Sequence, residues 1–213
     1  MVDFLQRSWS SFSRSIAAAY LKTYGHPSTR SRNLLGEVLE DEARGRSLSV
    51  LDLGCGNGQL YEHLREATSC IGRYVGVDFS SVLLAAARAA MAGDPRAEFV
   101  QDDVAALDNV QGRFDVVIYS HVIEMLASPE ASLHRAKQLT DLIAVRFFEP
   151  PEFDTLTVDL REMEVDDGKA VPYLRWKMSR DYYQLILAKL GCRRVDVFQA
   201  DGDKDQIHLL RLR

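Results

Sequence analysis

The sequence predicts an α/β fold with a doubly wound, mainly parallel sheet. The apolar run Val50–Leu53 is typical of a strand buried on both faces, and it passes through a glycine-rich turn into a helix. Apolar runs and helical patterns then alternate along the chain, which favours parallel strands joined by helices. A length of 213 residues with 46% hydrophobic residues is ordinary for one domain.

The glycine turn after this first strand has a specific spacing. The sequence Asp52-Leu53-Gly54-Cys55-Gly56-Asn57-Gly58 gives G-x-G-x-G, whereas a nicotinamide-binding turn would place its third glycine where Gln59 stands. Asp52 would repel a pyrophosphate and attract a ligand that carries an ammonium and a sulfonium. These residues resemble the first motif of the class I S-adenosylmethionine-dependent methyltransferases. The resemblance implies that Asp52, Gly54, Cys55, Gly56, Asn57 and Gly58 contact S-adenosyl-L-methionine.

The second predicted strand ends in an acid. Asp78 follows the run Tyr74–Val77 and stands twenty residues beyond Gly58, where a carboxylate can accept hydrogen bonds from ribose hydroxyls. Phe79, next to it, is a further cofactor contact. Ser80 or Ser81 is expected to cap a helix over 82–91.

Two later segments are similar to the third and fourth motifs of the same family. In the third motif, an acid binds the adenine amino group, and Asp103 fits its position better than Asp102 does, although either could serve. The N–H of Val104 would then meet a nitrogen of the adenine ring. In the fourth, Tyr119 and Ser120 end a central strand, and their backbone groups would line the methyl-transfer site.

The remaining elements complete the architecture that the resemblance implies, a seven-stranded Rossmann-like sheet with an antiparallel last strand. Helices are expected over 129–139, capped by Ser128, and over 179–190, closed by Gly191. Strands are expected over 142–148, 193–199 and 206–212, the last two forming a hairpin.

Two segments outside this core are expected to govern substrate choice within a single domain spanning 1–213. The first is an N-terminal helical lid over 1–45, from which Tyr20, Tyr24 or Arg30 would bind the cofactor carboxylate. The second is a hairpin insertion over 150–178. Its acids are expected to be solvated residues at the hairpin tip, and the alternative is that they attract a cationic acceptor. Its aromatic residues could line the acceptor site or pack on the sheet. These acids are Glu162, Glu164, Asp166 and Asp167, and the aromatic residues are Phe153, Tyr173 and Trp176.

Composition excludes several partners. The net charge of −5, without a Lys/Arg cluster interleaved with aromatic residues, disfavours nucleic acid. No stretch has the length of a membrane span or the pattern of a secretory signal, so a cytoplasmic protein is expected. The cysteines are three in number and scattered, which predicts neither disulfides nor a metal site. The oligomeric state is left open.

Transfer to an oxygen would need a base, and His121 is the best-placed titratable group because it follows the fourth strand. Glu124 is a poorer candidate for the base, and His26 is another candidate. The alternative role for His121 is packing.

The sequence therefore predicts a methyltransferase acting on oxygen or nitrogen of a small molecule, one of secondary metabolism included. The alternatives are a protein or RNA methyltransferase that docks its substrate, a non-catalytic adenosylmethionine-binding protein and a nicotinamide enzyme.

Overall fold

The structure, a computed structural model, describes residues 30–126, 128–165 and 169–213. Within these residues the helices are α1 (Arg30–Ala43), α2 (Gln59–Ala67), α3 (Ser81–Ala90), α4 (Pro129–Leu139) and α5 (Arg180–Leu190), with a short 3₁₀ helix over Ile123–Met125. The strands are β1 (Leu48–Leu53), β2 (Ile71–Asp78), β3 (Ala97–Gln101), β4 (Val116–Ser120), β5 (Leu142–Phe147), β6 (Thr157–Val165), β7 (Lys169–Lys177), β8 (Arg194–Gln199) and β9 (Gln206–Arg211).

Seven of these strands form one sheet in the order β3-β2-β1-β4-β5-β9-β8. The first five strands in this order, β3-β2-β1-β4-β5, are parallel to one another. β9 pairs antiparallel with both β5 and β8. The predicted seven-stranded, doubly wound sheet with an antiparallel last strand is thereby confirmed.

Each face of the sheet is covered by its own apolar cluster. Leu51 and Leu53 of β1 pack with buried residues of α4 and α5, such as Leu133 and Ile186. Val50, on the other face of the same strand, packs with buried residues of α1, α2 and α3. Burial on both sides therefore explains why apolar residues of β1 point to both faces of the sheet.

Three predicted helix starts are confirmed by their capping hydrogen bonds. The hydroxyl oxygens of Ser80, Ser128 and Ser179 accept hydrogen bonds from the N–H groups three residues on, at Leu83, Ala131 and Tyr182. Gly191 ends α5 in the left-handed conformation, with φ 70°.

The segments predicted to lie outside the core have different structures. β6 and β7 form a separate antiparallel pair, which runs from Thr157 paired with Lys177 to Val165 paired with Lys169. Residues 30–43 of the predicted lid form α1, whose Leu35 and Leu39 are fully buried in the core. Residues 1–29 lie outside the described part, and the division into lid, core and insertion stays a prediction. In the described part, no helix combines the length and apolar character that crossing a membrane requires.

Candidate functional site

The glycine turn lies at the carboxyl end of β1. Gly54, Gly56 and Gly58 all have positive φ, at 76°, 56° and 81°. A Cβ on Gly54 would lie 2.5 Å from a methyl carbon of Val122, closer than side chains can approach. The turn therefore needs glycine for its backbone conformation and, at position 54, for space. Cys55 is buried within it.

Asp78 binds this turn from the end of β2. Its Oδ2 accepts a hydrogen bond from the N–H of Gly56 at 2.9 Å, and its Oδ1 accepts one from Ser80 at 2.9 Å. Burial raises the pKa of the carboxyl above its usual value, although these backbone hydrogen bonds oppose the shift. Because each carboxylate oxygen has two lone pairs, both can accept a further hydrogen bond from a ligand.

Asp52 lies below the turn rather than open beside it. The hydroxyl of Tyr74 donates to its Oδ2 at 2.6 Å, while its Oδ1 is buried and has no hydrogen-bond partner among the described residues. Burial raises the pKa of Asp52 to about 7. The expectation of a freely ionised carboxylate needs correction, since the removal of water around the group favours its neutral form. The partnerless Oδ1 is suited to a ligand that donates a hydrogen bond.

Two acids follow β3. Asp102 accepts hydrogen bonds from the N–H groups of Asp103, at 2.8 Å, and Asn109, at 2.6 Å. Asp103 accepts one from Ala105 at 2.8 Å. Both oxygens of Asp102 thus hold the loop, and the preference for Asp103 as the adenine-binding acid stays a prediction. Val104 is buried. Phe79, at the end of the neighbouring strand, is 37% exposed.

At the end of β4 the side chains point in different directions. Tyr119 is buried and its hydroxyl shares a hydrogen bond with Ser132, so only its backbone can face the site. The hydroxyl of Ser120 accepts a hydrogen bond from Arg146 Nη1 at 2.6 Å. His121 has φ 59°, a left-handed conformation that is uncommon for non-glycine residues and often marks functional sites.

The imidazole of His121 is bound to Asp205, which precedes β9. Its Nε2 lies 2.7 Å from Asp205 Oδ2. Burial, together with the positive charge of Arg146, lowers the pKa of His121 to about 4, although Asp205 opposes this shift. A neutral imidazole that donates Nε2–H to the carboxylate has Nδ1 as its proton-accepting atom.

Arg146 in β5 joins this pair to α1. Its side chain is 2% exposed; Nη2 lies 2.9 Å from Asp205 Oδ2, and Nε donates to the hydroxyl of Ser31 at 3.0 Å. Ser31 in turn donates to Asp205 at 3.0 Å. Burial would raise the pKa of Asp205, but the hydrogen bond from His121 and the charges of His121 and Arg146 lower it to about 2.

Sequence reasoning missed this network. An arginine inside the apolar run of β5 is the one available signal, because a buried arginine needs a carboxylate partner. The identity of that partner could not be read from the sequence.

Other candidates lie away from the turn or outside the described residues. Arg30 begins α1 and donates from Nη1 to the carbonyl oxygen of Asp201. Tyr20, Tyr24 and His26 fall outside the described range. In the hairpin, Glu162 is exposed and Trp176 is partly buried against the core.

Comparison with protein families identifies part of the chain. Residues 50–141 match a family described as "Methyltransferase domain". A demethylmenaquinone methyltransferase of Lactococcus lactis is 39% identical over 72 residues, which are 33% of this chain and 29% of that protein. An uncharacterized 37.1 kDa protein in transposon TN4556 of Streptomyces fradiae is 31% identical over 117 residues, 55% of this chain and 34% of that protein. The chain thus matches about a third of the length of these curated relatives.

Solved structures share the fold over nearly the whole chain. The DhpI–SAH complex has a TM-score of 0.70 at 19% identity and covers 99% of this chain and 98% of its own. The SAM-bound CalS10, an amino pentose methyltransferase from Micromonospora echinaspora, has a TM-score of 0.62 at 14% identity, with 98% and 95% covered. Residues 50–141 thus match a methyltransferase domain, and the chain shares the fold of these solved structures.

The family match places the methyltransferase motifs on described elements. It runs from β1 to the residue before β5, and so contains the glycine turn, Asp78, Asp103 and His121. Arg146, Asp205 and the β6–β7 hairpin lie beyond it. These residues are therefore not described by the matched family.

Proposed function

We propose that this methyltransferase binds S-adenosyl-L-methionine at the glycine turn and transfers its methyl group to an oxygen or nitrogen of a small molecule. The turn held by Asp78 carries this proposal. Three left-handed glycines allow a ligand to lie against the backbone, and Asp52 Oδ1 below them is a buried acceptor without a donor. A donor such as the cofactor's ammonium fits there.

The same edge of the sheet supplies the other cofactor contacts. We assign the ribose to Asp78 and Phe79 and the adenine to Asp103 and the N–H of Val104, and we place the methionine portion at the backbone of Tyr119 and Ser120. Binding of the cofactor carboxylate by Tyr20 or Arg30 remains part of the proposal. Apart from Arg30, the described members lie at or just after the carboxyl ends of β1, β2, β3 and β4, where ligands bind in open α/β sheets.

The cofactor supplies a methyl group that its positively charged sulfur already activates. What the protein adds is mainly orientation, which can contribute up to about 7–11 kcal/mol when the acceptor atom is held in line with the carbon–sulfur bond. As the new bond to the acceptor forms and the carbon–sulfur bond breaks, the acceptor loses a proton. We assign Nδ1 of His121 as the atom that takes it, with Asp205 fixing the ring.

A small acceptor is favoured over a macromolecule by charge. The net charge of −5 offers no attraction for nucleic acid. CalS10, which shares the fold over 98% of this chain, is an amino pentose methyltransferase. A docked protein or RNA substrate is the second candidate, and a cytoplasmic location is part of the same proposal.

Calorimetry tests the cofactor assignment. We expect S-adenosylmethionine and S-adenosylhomocysteine to bind with a stoichiometry of about one and NAD not to bind, because Gln59 stands where a nicotinamide-binding turn has its third glycine. Transfer of radiolabelled methyl groups to a metabolite panel then separates an enzyme from a binding protein. Binding of NAD alone would contradict the proposal, and transfer to protein or RNA only would favour the second candidate.

The variant Asp78→Ala tests the ribose assignment. We expect it to weaken S-adenosylhomocysteine binding by about 1.5–3 kcal/mol, or roughly 10- to 150-fold, because a charge-assisted hydrogen bond is lost. Glu98→Ala is the matched control, since Glu98 is an exposed acid on β3. The measurement is calorimetry of both variants beside a thermal melt. Unchanged affinity in Asp78→Ala would refute the assignment.

A further inference from the structure

Four buried polar atoms without hydrogen-bond partners lie between the β6–β7 hairpin and the sheet. They are Oε2 of Glu124, Oε2 of Glu149, Nε of Arg161 and Nε of Arg175, each without a partner within the described residues. We call these four residues the hairpin cluster. Buried polar groups are nearly always paired, because an unpaired one costs about 1–3 kcal/mol.

The members of the cluster are near one another but not bonded. Arg161 Nη2 lies 3.8 Å from Glu149 Oε1, and Arg175 Nε lies 3.9 Å from Glu149 Oε2. Both distances exceed those of a hydrogen bond. Arg175 is only 8% exposed, so water does not freely solvate its guanidinium.

Glu124 is held at the base of the cluster. Its Oε1 accepts hydrogen bonds from the N–H groups of Phe148 and Glu149, both at 2.8 Å. The residue is 1% exposed, and burial raises its pKa to about 7, although these bonds and Arg175 oppose the shift. Near neutrality its partnerless Oε2 can therefore either accept or donate a hydrogen bond.

The cluster adjoins the proposed methyl-transfer site. The guanidinium of Arg175 stacks on the ring of Phe148, 3.9 Å from its centroid. The same ring meets the imidazole of His121 edge to face, with centroids 5.5 Å apart. The cluster is therefore joined to His121 through the ring of Phe148.

The balance of charge limits the chemistry of the ligand. Two arginine N–H groups need acceptors, and two carboxyl oxygens need donors. Asp159, 3.1 Å from Arg161 Nη2, and Lys204, over the ring of Phe148, add one charge of each sign. An anion would therefore face carboxyl groups, and an ammonium would face cationic groups. A hydroxyl donates one hydrogen bond and accepts two, so it can pair with members of both kinds.

We propose that the hairpin cluster binds a polyhydroxylated, sugar-like acceptor through neighbouring hydroxyls, with Glu149 accepting from one and Arg175 donating to one. This inference rests on the proposed function and deepens it, because it names the acceptor class of the same site. The acceptor atom, which is a further hydroxyl oxygen or an amine nitrogen on a neighbouring carbon, then lies toward His121.

Deoxygenated acceptors test this on the wild-type protein. The panel consists of hexoses, each beside its single-deoxy analogues, with phenols, primary amines and carboxylic acids that carry no further hydroxyl. We expect transfer to a hexose, and loss of one recognised hydroxyl to lower kcat/KM by on the order of 10⁴-fold, because the partner groups stay buried and unpaired. Deoxy analogues that all react like their parents would overturn the proposal, as would the absence of transfer to any hexose while S-adenosylhomocysteine still binds.

Two variants assign the effect to the cluster. We expect Arg175→Met and Glu149→Gln each to lower kcat/KM for the hexose by on the order of 10²-fold, mainly through KM, with S-adenosylhomocysteine affinity unchanged. Arg180→Met, at an arginine whose side chain is 65% exposed, is the control. Unchanged acceptor KM in both cluster variants would mean that water alone fills the gaps, and would overturn the assignment.

The outcomes distinguish failure of this inference from failure of the proposed function. If neither S-adenosylmethionine nor S-adenosylhomocysteine binds, the proposed function fails. If they bind and methyl groups pass only to phenols, amines or carboxylic acids, the proposed function holds and the hydroxyl-binding role of the cluster is wrong.

Discussion

Replacement of Arg146 by Met is expected to lower the free energy of unfolding by about 3–5 kcal/mol at pH 7. Arg146 is 2% exposed and lies 2.9 Å from the equally buried Asp205. Removing one partner leaves a charge in a medium that solvates it poorly, and this cost exceeds the net value of the pair. Met has a similar length, so the cavity left behind is small. Urea unfolding of the variant beside the wild-type protein measures the loss.

The double variant Arg146→Met/Asp205→Asn is the control for this prediction. It removes the uncompensated charge, and we expect it to recover a large part of the loss. If the double variant is as unstable as Arg146→Met, then Arg146 acts through packing and not through the charge of Asp205.

The effect of Arg146→Met depends on pH in a defined direction. The pKa of Asp205 is lowered to about 2 in the folded protein, whereas an Asp in the unfolded chain has a pKa of about 4. The stability that ionised Asp205 contributes is therefore fully present above about pH 4. This contribution is lost as the pH falls from about 4 toward 2. The difference between variant and wild type is therefore expected to narrow below pH 4, and a constant difference would contradict the electrostatic explanation.

Replacement of His121 by Asn is expected to lower kcat by about 10²–10⁴-fold while the affinity for S-adenosylhomocysteine changes little. Asn is chosen because it tolerates the positive φ of this position, and its amide cannot act as a base. His134→Asn, at an exposed histidine of α4, is the control. Equal losses in turnover and cofactor affinity would instead show that His121 packs under the cofactor.

The pH profile distinguishes a base from a merely structural residue. Because the pKa of His121 is lowered from 6.5 to about 4, kcat/KM of the wild type is expected to fall only below about pH 4. Asp205→Asn removes the group that raises this pKa and fixes the ring, so kcat should fall and the acidic limb should move to lower pH. An acidic limb near 6.5 in the wild type would contradict the assignment.

The sequence by itself predicted the sheet and the glycine turn, because their signals are local. The strand β1, the glycine turn and α2 are adjacent in the chain, and the left-handed φ values of Gly54, Gly56 and Gly58 follow from residue type. Asp78 lies 22 residues from Gly56, within one repeating unit of strand and helix. The alternation of such units fixes which strand ends share an edge.

Only the tertiary structure decided which charged groups meet around His121 and Arg175, and how burial shifts their charges. His121 and Asp205 are separated by 84 residues, and Arg146 and Ser31 by 115, so no spacing in the chain predicts their contacts. The sequence also could not show that Asp52 is buried with a pKa of about 7, or that Glu124 Oε2 and Arg175 Nε are buried without a hydrogen-bond partner among the described residues. Such properties depend on how much water the folded chain removes from each group. Removal of water is a result of packing between distant segments, and local residue patterns do not encode it.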